Sequence, residues 1–181
     1  MLALQGCVEP HVRHLNSLGA TVKEVRLPAD LAGIEGLVLP GGESTTMLKL
    51  ANQFSLWDPL KESAAKVPFW GICAGSILMA REVENPAQSS LGVMDIVVRR
   101  NAYGRQIDSF QEDVHLSSGE VQPAAFIRAP MFLSWGPAVS VLGTVRGDST
   151  FLSQGHHMVT AFHPELSSSH WCHELFLKRL K

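Results

Sequence analysis

Cysteine is scarce in this chain: Cys7, Cys73 and Cys172 are the only three among 181 residues. Three scattered thiols exclude a disulfide framework and a thiolate zinc cluster, and the odd count fits a reducing, cytoplasmic compartment. An excess of one charge is missing as well. Fifteen Lys and Arg stand against seventeen Asp and Glu, a formal charge of -2, so there is no broad footprint for nucleic acid and no long-range pull toward an anionic membrane. No apolar run reaches the ~18 residues of a spanning helix. The opening MLALQGCVEPHVRH lacks a basic stretch followed by about 7–15 apolar residues, and it does not read as a signal peptide. Trp57, Trp70, Trp135 and Trp171 are dispersed, which suits packing or an interface and not a stacking platform for bases. Internal repeats, low-complexity segments and linkers are absent.

What remains is one domain over residues 1–181, 45% apolar and long enough to bury about 70% of its unfolded surface. Short apolar runs alternate with helical patterns. Leu2 to Leu4, Val22 to Leu27, Ile34 to Leu39 and Val67 to Trp70 read as strands; Met1 to Leu4 looks like the last part of one whose beginning is truncated, since Gln5-Gly6 is already a turn. Glu9-Pro10 opens a helix that carries Val12, Leu15 and Leu18. Met47, Leu48 and Leu50 belong to a second, and Ser76 to Ala80 to a buried third. This order predicts an α/β fold with a parallel sheet covered on both faces. Further on, Val93 to Val98, Val121 to Ile127, Val139 to Val145 and His157 to Phe162 lie too close together for helical crossovers. Some of that pairing is expected to be antiparallel or to form a flap. Ser168 to Lys181 reads as a serine-capped amphipathic helix.

Gly71-Ile72-Cys73-Ala74-Gly75 has the pattern of a nucleophile elbow with cysteine at its centre. A strand-to-helix turn that sharp needs very small residues two before and two after the nucleophile, where strand and helix nearly touch. The thiol then sits at a helix start, where unpaired N–H groups favour its anion, and Ala74 N–H points to where an oxyanion would form. A buried packing cysteine beside two glycines is the other reading. His163-Pro164-Glu165 follows the apolar run Met158 to Phe162. It should lie at the carboxyl end of a strand, where open α/β sheets place their sites. A cysteine nucleophile needs a base, and the base a group that holds its tautomer; an extended backbone would put His163 and Glu165 on one side. A turn histidine beside a surface glutamate is the plainer alternative. Pro40-Gly41-Gly42-Glu43-Ser44 can present backbone N–H groups to a developing oxyanion, or be a plain turn. No phosphate-loop or dinucleotide fingerprint accompanies it. His11/His14 and His170/His173 are each three apart on expected helices, a spacing that can hold a metal. Neither pair has an obvious third ligand, so both read as helix surface and no metal is expected.

Together these motifs resemble the class I (triad) glutamine amidotransferases, and most closely the glutaminase subunits of pyridoxal 5'-phosphate synthase (the PdxT/SNO family). The resemblance is carried by Leu4-Gln5-Gly6, PGGESTTM at Pro40 to Met47, GICAG at Gly71 to Gly75 and LGVMD at Leu91 to Asp95. RNAYGRQ at Arg100 to Gln106, Ser109-Phe110, FIRAP at Phe126 to Pro130 and FHPEL at Phe162 to Leu166 complete it. These phrases run in order along the whole chain. They imply a three-layer flavodoxin-like sandwich with a central, mostly parallel sheet and additional antiparallel strands. The implied activity is hydrolysis of L-glutamine to L-glutamate and ammonia through a thioester on Cys73. His163 would be base and then acid, Glu165 its orienter, and the N–H groups of Gly42 and Ala74 the oxyanion hole. Gly41, Gly42, Glu43, Arg100, Ile127 and Arg128 would contact glutamine.

The resemblance implies no cofactor. It does imply a partner, a (β/α)8-barrel synthase subunit that takes the ammonia into pyridoxal phosphate within a hetero-oligomer. Glutamine carries an α-carboxylate and an α-ammonium, so Arg100 or Arg128 could hold the former bidentately and Glu43 the latter; Arg105 could serve as well. Ile72 stands where Thr is common in the family, Cys7 where a small residue is usual, and Tyr103 where Phe is usual. Another Cys-His-Glu γ-glutamyl hydrolase and a non-catalytic subunit of the same complex are the alternative readings.

Overall fold

In a computed structural model that describes residues 1–100, 102 and 109–180, the chain begins with α1 (Val8–Ser17), β1 (Leu37–Leu39), α2 (Ser44–Gln53) and α3 (Trp57–Ala64). Next come β2 (Phe69–Ile72), α4 (Ala74–Met79), β3 (Ala80–Glu84), β4 (Met94–Arg99), β5 (Phe110–Leu116) and β6 (Val121–Phe126). It closes with β7 (Met131–Trp135), β8 (Val139–Val145), β9 (Asp148–Gln154), β10 (His157–Thr160) and α5 (Trp171–Leu177). Among the described residues the main sheet has seven strands in the order β1-β2-β10-β9-β8-β5-β6, and β3-β4-β7 form a second, three-stranded sheet.

The centre of the main sheet is parallel: β1 and β10 flank β2, both running with it. Every residue of these three strands is buried, as expected of parallel strands covered on both faces. From β10 outward the pairing becomes antiparallel, through β9, β8, β5 and β6. With helices flanking it, this is the flavodoxin-like three-layer sandwich expected above. α1 and α5 meet through His11 and His173. α2 presents Ser44, Met47 and Ala51 to the core, and all six residues of α4 are buried.

The details differ from the sequence reading where tertiary pairing overrides local pattern. The two earliest expected strands shrink to a single parallel bridge, Leu2 with Val25. It is tied to β1 by Leu2 N donating to Val38 O (2.9 Å). Ser76 to Ala80 does not stay helical throughout: α4 begins at Ala74, and Ala80 opens β3. β5, β7, β9 and α3 lie outside the elements expected. In β5 the burial pattern is polar and half-exposed, with only Val114 buried, so no apolar run announces it. The last helix is shorter than expected, and no serine side chain caps it; Ser167 Oγ instead accepts from Ser169 N.

One local requirement anchors the centre. A Cβ on Gly75 would collide with the carbonyl oxygen of Leu39 in β1, and one on Gly71 would stand 2.7 Å from the Gly75 backbone. Both are closer than real Cβ atoms come, and backbone atoms cannot swing aside as a side-chain tip can. Gly75→Ala should therefore destabilise the protein by about 1–3 kcal/mol or more, read as a lower urea midpoint at unchanged slope. An unchanged midpoint would contradict the close approach.

Candidate active site

Three adjacent parallel strands end on one rim. β1 leads into Gly41, Gly42 and Glu43, β2 into Cys73, and β10 through Ala161 and Phe162 to His163 and Glu165. Residues almost a hundred positions apart thus become neighbours because their strands are neighbours. All of them line one cavity of about 320 Å³, together with Ala74, Arg100, Ile127 and Arg128. That volume lies near the lower end of the ~300–1,000 Å³ of small-molecule sites. The structure brings Cys73, His163, Glu165, Gly41, Gly42, Glu43, Ala74, Arg100, Ile127 and Arg128, all expected at one site from the sequence, to this cavity. Tyr103 and Arg105 lie outside the described residues.

Cys73 occupies φ 48°, ψ -101°, a backbone state that costs a non-glycine residue roughly 1–3 kcal/mol. Its neighbours hold it there. Cys73 N donates to Thr160 O of β10 (2.8 Å), and Ser76 Oγ donates to Cys73 O (2.7 Å). The thiol is 3.9 Å from Ile127 O. A strained cysteine between a buried strand and a helix start, flanked by glycines that touch backbone, is the elbow geometry.

His163 N donates to Ala125 O of β6 (2.8 Å), so the antiparallel arm braces the histidine. Its Nδ1 is 2.7 Å from Glu165 Oε1, and since an ionised carboxylate only accepts, Nδ1 carries the proton. The backbone between them is not extended, as the sequence suggested; Pro164–Leu166 forms a 3-10 turn that carries the carboxylate back to the ring. Gly41 makes room for the imidazole, since a Cβ there would stand 2.9 Å from His163 Nδ1.

Burial opposes charge on both members of this pair, and their contacts reverse it. Desolvation would lower the His163 pKa, but the nearness and charge of Cys73 and the hydrogen bond and charge of Glu165 outweigh it and raise the imidazole to about 10. Desolvation would likewise raise Glu165; the close contact with His11 and the hydrogen bond and charge of His163 hold its carboxyl well below the usual carboxylate range. The ring is thereby set to keep its proton. Its Nε2 has no hydrogen-bond partner in the resting site, and such contacts commonly tighten only with substrate in place.

The charged groups for an amino acid's two ends are present but already engaged. Arg100 Nη2 donates to Glu43 Oε1 at 3.0 Å, so the cation and the anion assigned to opposite ends of glutamine pair with each other here. Glu43 also caps α2, accepting from Thr45 N at 3.5 Å, and accepts from Thr45 Oγ1 at 2.8 Å. Arg128, which lines the same cavity, holds a left-handed backbone, φ 45°.

Three contributors went unnoticed in the sequence reading. Gln5 Oε1 accepts from Glu43 N at 2.8 Å and lines the cavity. Cys7 lines it too; burial, then the charge and hydrogen bonding of Glu165, push its thiol up to about 11. His11, read as helix surface, is fully buried with Nε2 3.3 Å from Glu165 Oε2. No local pattern announces a contact with a residue tens of positions away. Among the described residues no group of three or more His, Cys, Asp or Glu side chains is arranged to hold a metal ion. Nor is any helix there long and apolar enough to cross a membrane.

The profile of the SNO glutamine amidotransferase family matches residues 1–181. The pyridoxal 5'-phosphate synthase subunit PdxT of Deinococcus radiodurans is 48% identical, over 98% of this chain and 94% of that protein. The subunit of the same name from Fervidobacterium nodosum is 45% identical, again over 98% and 94%. A solved glutamine amidotransferase superposes with a TM-score of 0.93 at 39% identity, covering 98% of this chain and 96% of that one. PurLQS from Thermotoga maritima shares the fold at a TM-score of 0.75 and 15% identity.

The electrostatic account has a direct readout. Glu165→Gln should lower the His163 midpoint from about 10 toward the ordinary ~6.5 by at least a unit, followed by 15N NMR of the imidazole. A midpoint that stays put would mean that the carboxylate does not hold the proton on the ring.

Proposed function

The chain belongs to the SNO glutamine amidotransferase family, and we propose that its cavity takes L-glutamine, with Cys73 as nucleophile. The protein is a hydrolase: it converts L-glutamine to L-glutamate and ammonia, and the ammonia serves pyridoxal 5'-phosphate synthesis. Supporting this site assignment above all is the meeting, in one cavity, of the strained elbow cysteine with a histidine hydrogen-bonded to a buried glutamate.

In the proposed mechanism Cys73 Sγ attacks the side-chain amide carbon of glutamine, and its proton is held by His163. The N–H groups of Gly42 and Ala74 receive the developing oxyanion, which a preorganised hole stabilises without reorganisation. As the tetrahedral intermediate collapses, His163 gives the proton to the leaving nitrogen and ammonia departs, leaving a γ-glutamyl thioester. A water then attacks that carbon with His163 as base; its oxygen ends in glutamate and the thiol regains its proton. Glu165 keeps the Nδ1–H tautomer and steadies the charged ring without taking the proton.

Arg128 and Arg100 are assigned to the substrate carboxylate and Glu43 to its ammonium. The ion pair between Arg100 and Glu43 occupies these groups until substrate separates them. Gly41 and the Ile127 backbone complete the walls. The ammonia acceptor is assigned as a (β/α)8-barrel synthase subunit in a hetero-oligomer, and the site of action as the cytoplasm, in keeping with three free thiols.

Glutamate release from glutamine, measured with the partner synthase present and absent, tests the assignment. Cys73→Ala should abolish turnover while leaving folding and complex formation intact, and Glu165→Gln should cost less, because Glu165 orients the base without entering the chemistry. A glutamine-mimicking diazo-ketone should label the wild type once, at Cys73. Turnover in C73A, or an unlabelled Cys73, would favour a non-catalytic subunit or a different nucleophile. Arg128→Ala should raise the glutamine KM with little change in kcat. A loss confined to kcat would instead place Arg128 in transition-state stabilisation or partner coupling.

A further inference from the structure

Glu165 has two carboxylate oxygens, and the mechanism uses one. Oε1 accepts from His163. Oε2 is buried with no aligned hydrogen bond and faces His11 Nε2 at 3.3 Å, an atom that is itself buried and otherwise unpartnered. An ionised carboxylate can only accept. A proton on that nitrogen makes the contact attractive, whereas a lone pair there would leave two buried acceptors face to face.

The His11 ring is held from behind. Its Nδ1 is 2.8 Å from His173 Nε2, and both rings are fully buried. Both stand edge-on to Trp70, with centroids at 5.7 and 5.0 Å. His14 stacks on His173 at 4.5 Å, with the rings 7° from parallel. Such a ring cannot rotate freely, so its Nε2 stays aimed at the carboxylate.

We propose that His11 is a positioning residue for glutamine hydrolysis: its Nε2–H fixes the second oxygen of Glu165, and His173 fixes the orientation of His11. This inference rests on the glutaminase reading of Cys73, His163 and Glu165. Removing the donor frees one end of a buried carboxylate and favours its neutral form. A neutral Glu165 no longer steadies the proton on His163, so activity should fail at a higher pH on the acid side. The titratable and charged groups around this carboxylate and imidazole are Cys7 and Arg13 from the start of the chain, His14 on α1, His163, and His170, Cys172 and His173 on the α5 side. The thiols of Cys7 and Cys172 are pushed up by burial and His173 is pushed down by it. None of those three changes charge near neutrality.

The test compares His11→Phe, which keeps a ring but loses the donor, with His11→Gln, which restores an N–H, both assayed with the partner synthase. His11→Phe should lower kcat about 10- to 100-fold, the scale of losing one hydrogen bond to a charged group, with KM within about twofold and the acid limb of the kcat profile moved to higher pH. His11→Gln should recover most of the rate and return the limb toward the wild-type position. Wild-type kcat and acid limb in His11→Phe would overturn the proposal, as would equal losses in both variants with an unmoved limb. If His11→Phe does not fold, 15N NMR of the wild-type imidazoles decides instead: Nε2 of His11 must carry a proton, and an unprotonated Nε2 overturns the proposal. Cys73→Ala runs alongside; activity there would show that the nucleophile reading had failed, independently of His11.

Discussion

A carboxylate sealed from water is the constraint on which the site depends. Glu165 is 4% exposed, and an ion in such a place costs several kcal/mol unless its oxygens are met. His163 meets one of them at 2.7 Å. That contact does two things at once: it removes the penalty for burying the charge, and it fixes which imidazole nitrogen holds a proton and which is free for the thiol. The 3-10 turn at Pro164–Leu166, α1 and α5 all converge on this one group. Stability and chemistry therefore share the same contacts, and the site is rigid because unpairing the carboxylate is costly.

The second constraint is steric. Gly71, Gly75, Gly41 and Gly42 each stand where a Cβ would meet backbone or the His163 ring. At these places strand, helix and loop approach until only hydrogen fits between them. The resulting closeness holds Cys73 in a costly backbone state and lets Thr160 O of the neighbouring strand accept its N–H. Cys73 and His163 are consequently fixed to one another through two paired strands, β2 and β10.

Much of this was legible in the chain because the relevant signals are local. GICAG and HPE each encode a sharp turn with a reactive side chain at its edge, and PGGES encodes a loop with room for a ligand. Short apolar runs marked β1, β2 and β10, the strands that bring those turns together. Long-range pairing was not legible. β5 alternates polar and half-buried residues and is held as a strand by β6 and β8. Leu2 and Val25 looked like strand residues but pair only through one bridge. The buried histidines were hidden for a related reason: i, i+3 spacing on a helix shows which residues share a face, not that this face will be covered by another helix bearing a second such pair. The Arg100–Glu43 ion pair shows the same limit, because opposite charges suited to a substrate also suit each other.

The contact between Gly75 and the Leu39 carbonyl bears on how this scaffold can be altered. Because the elbow is built from main chain against main chain, a mutant library spread over positions 71 and 75 would consist largely of misfolded clones. Diversity aimed at new acceptors or new acyl donors belongs on the walls that are built from side chains, at 43, 100 and 128.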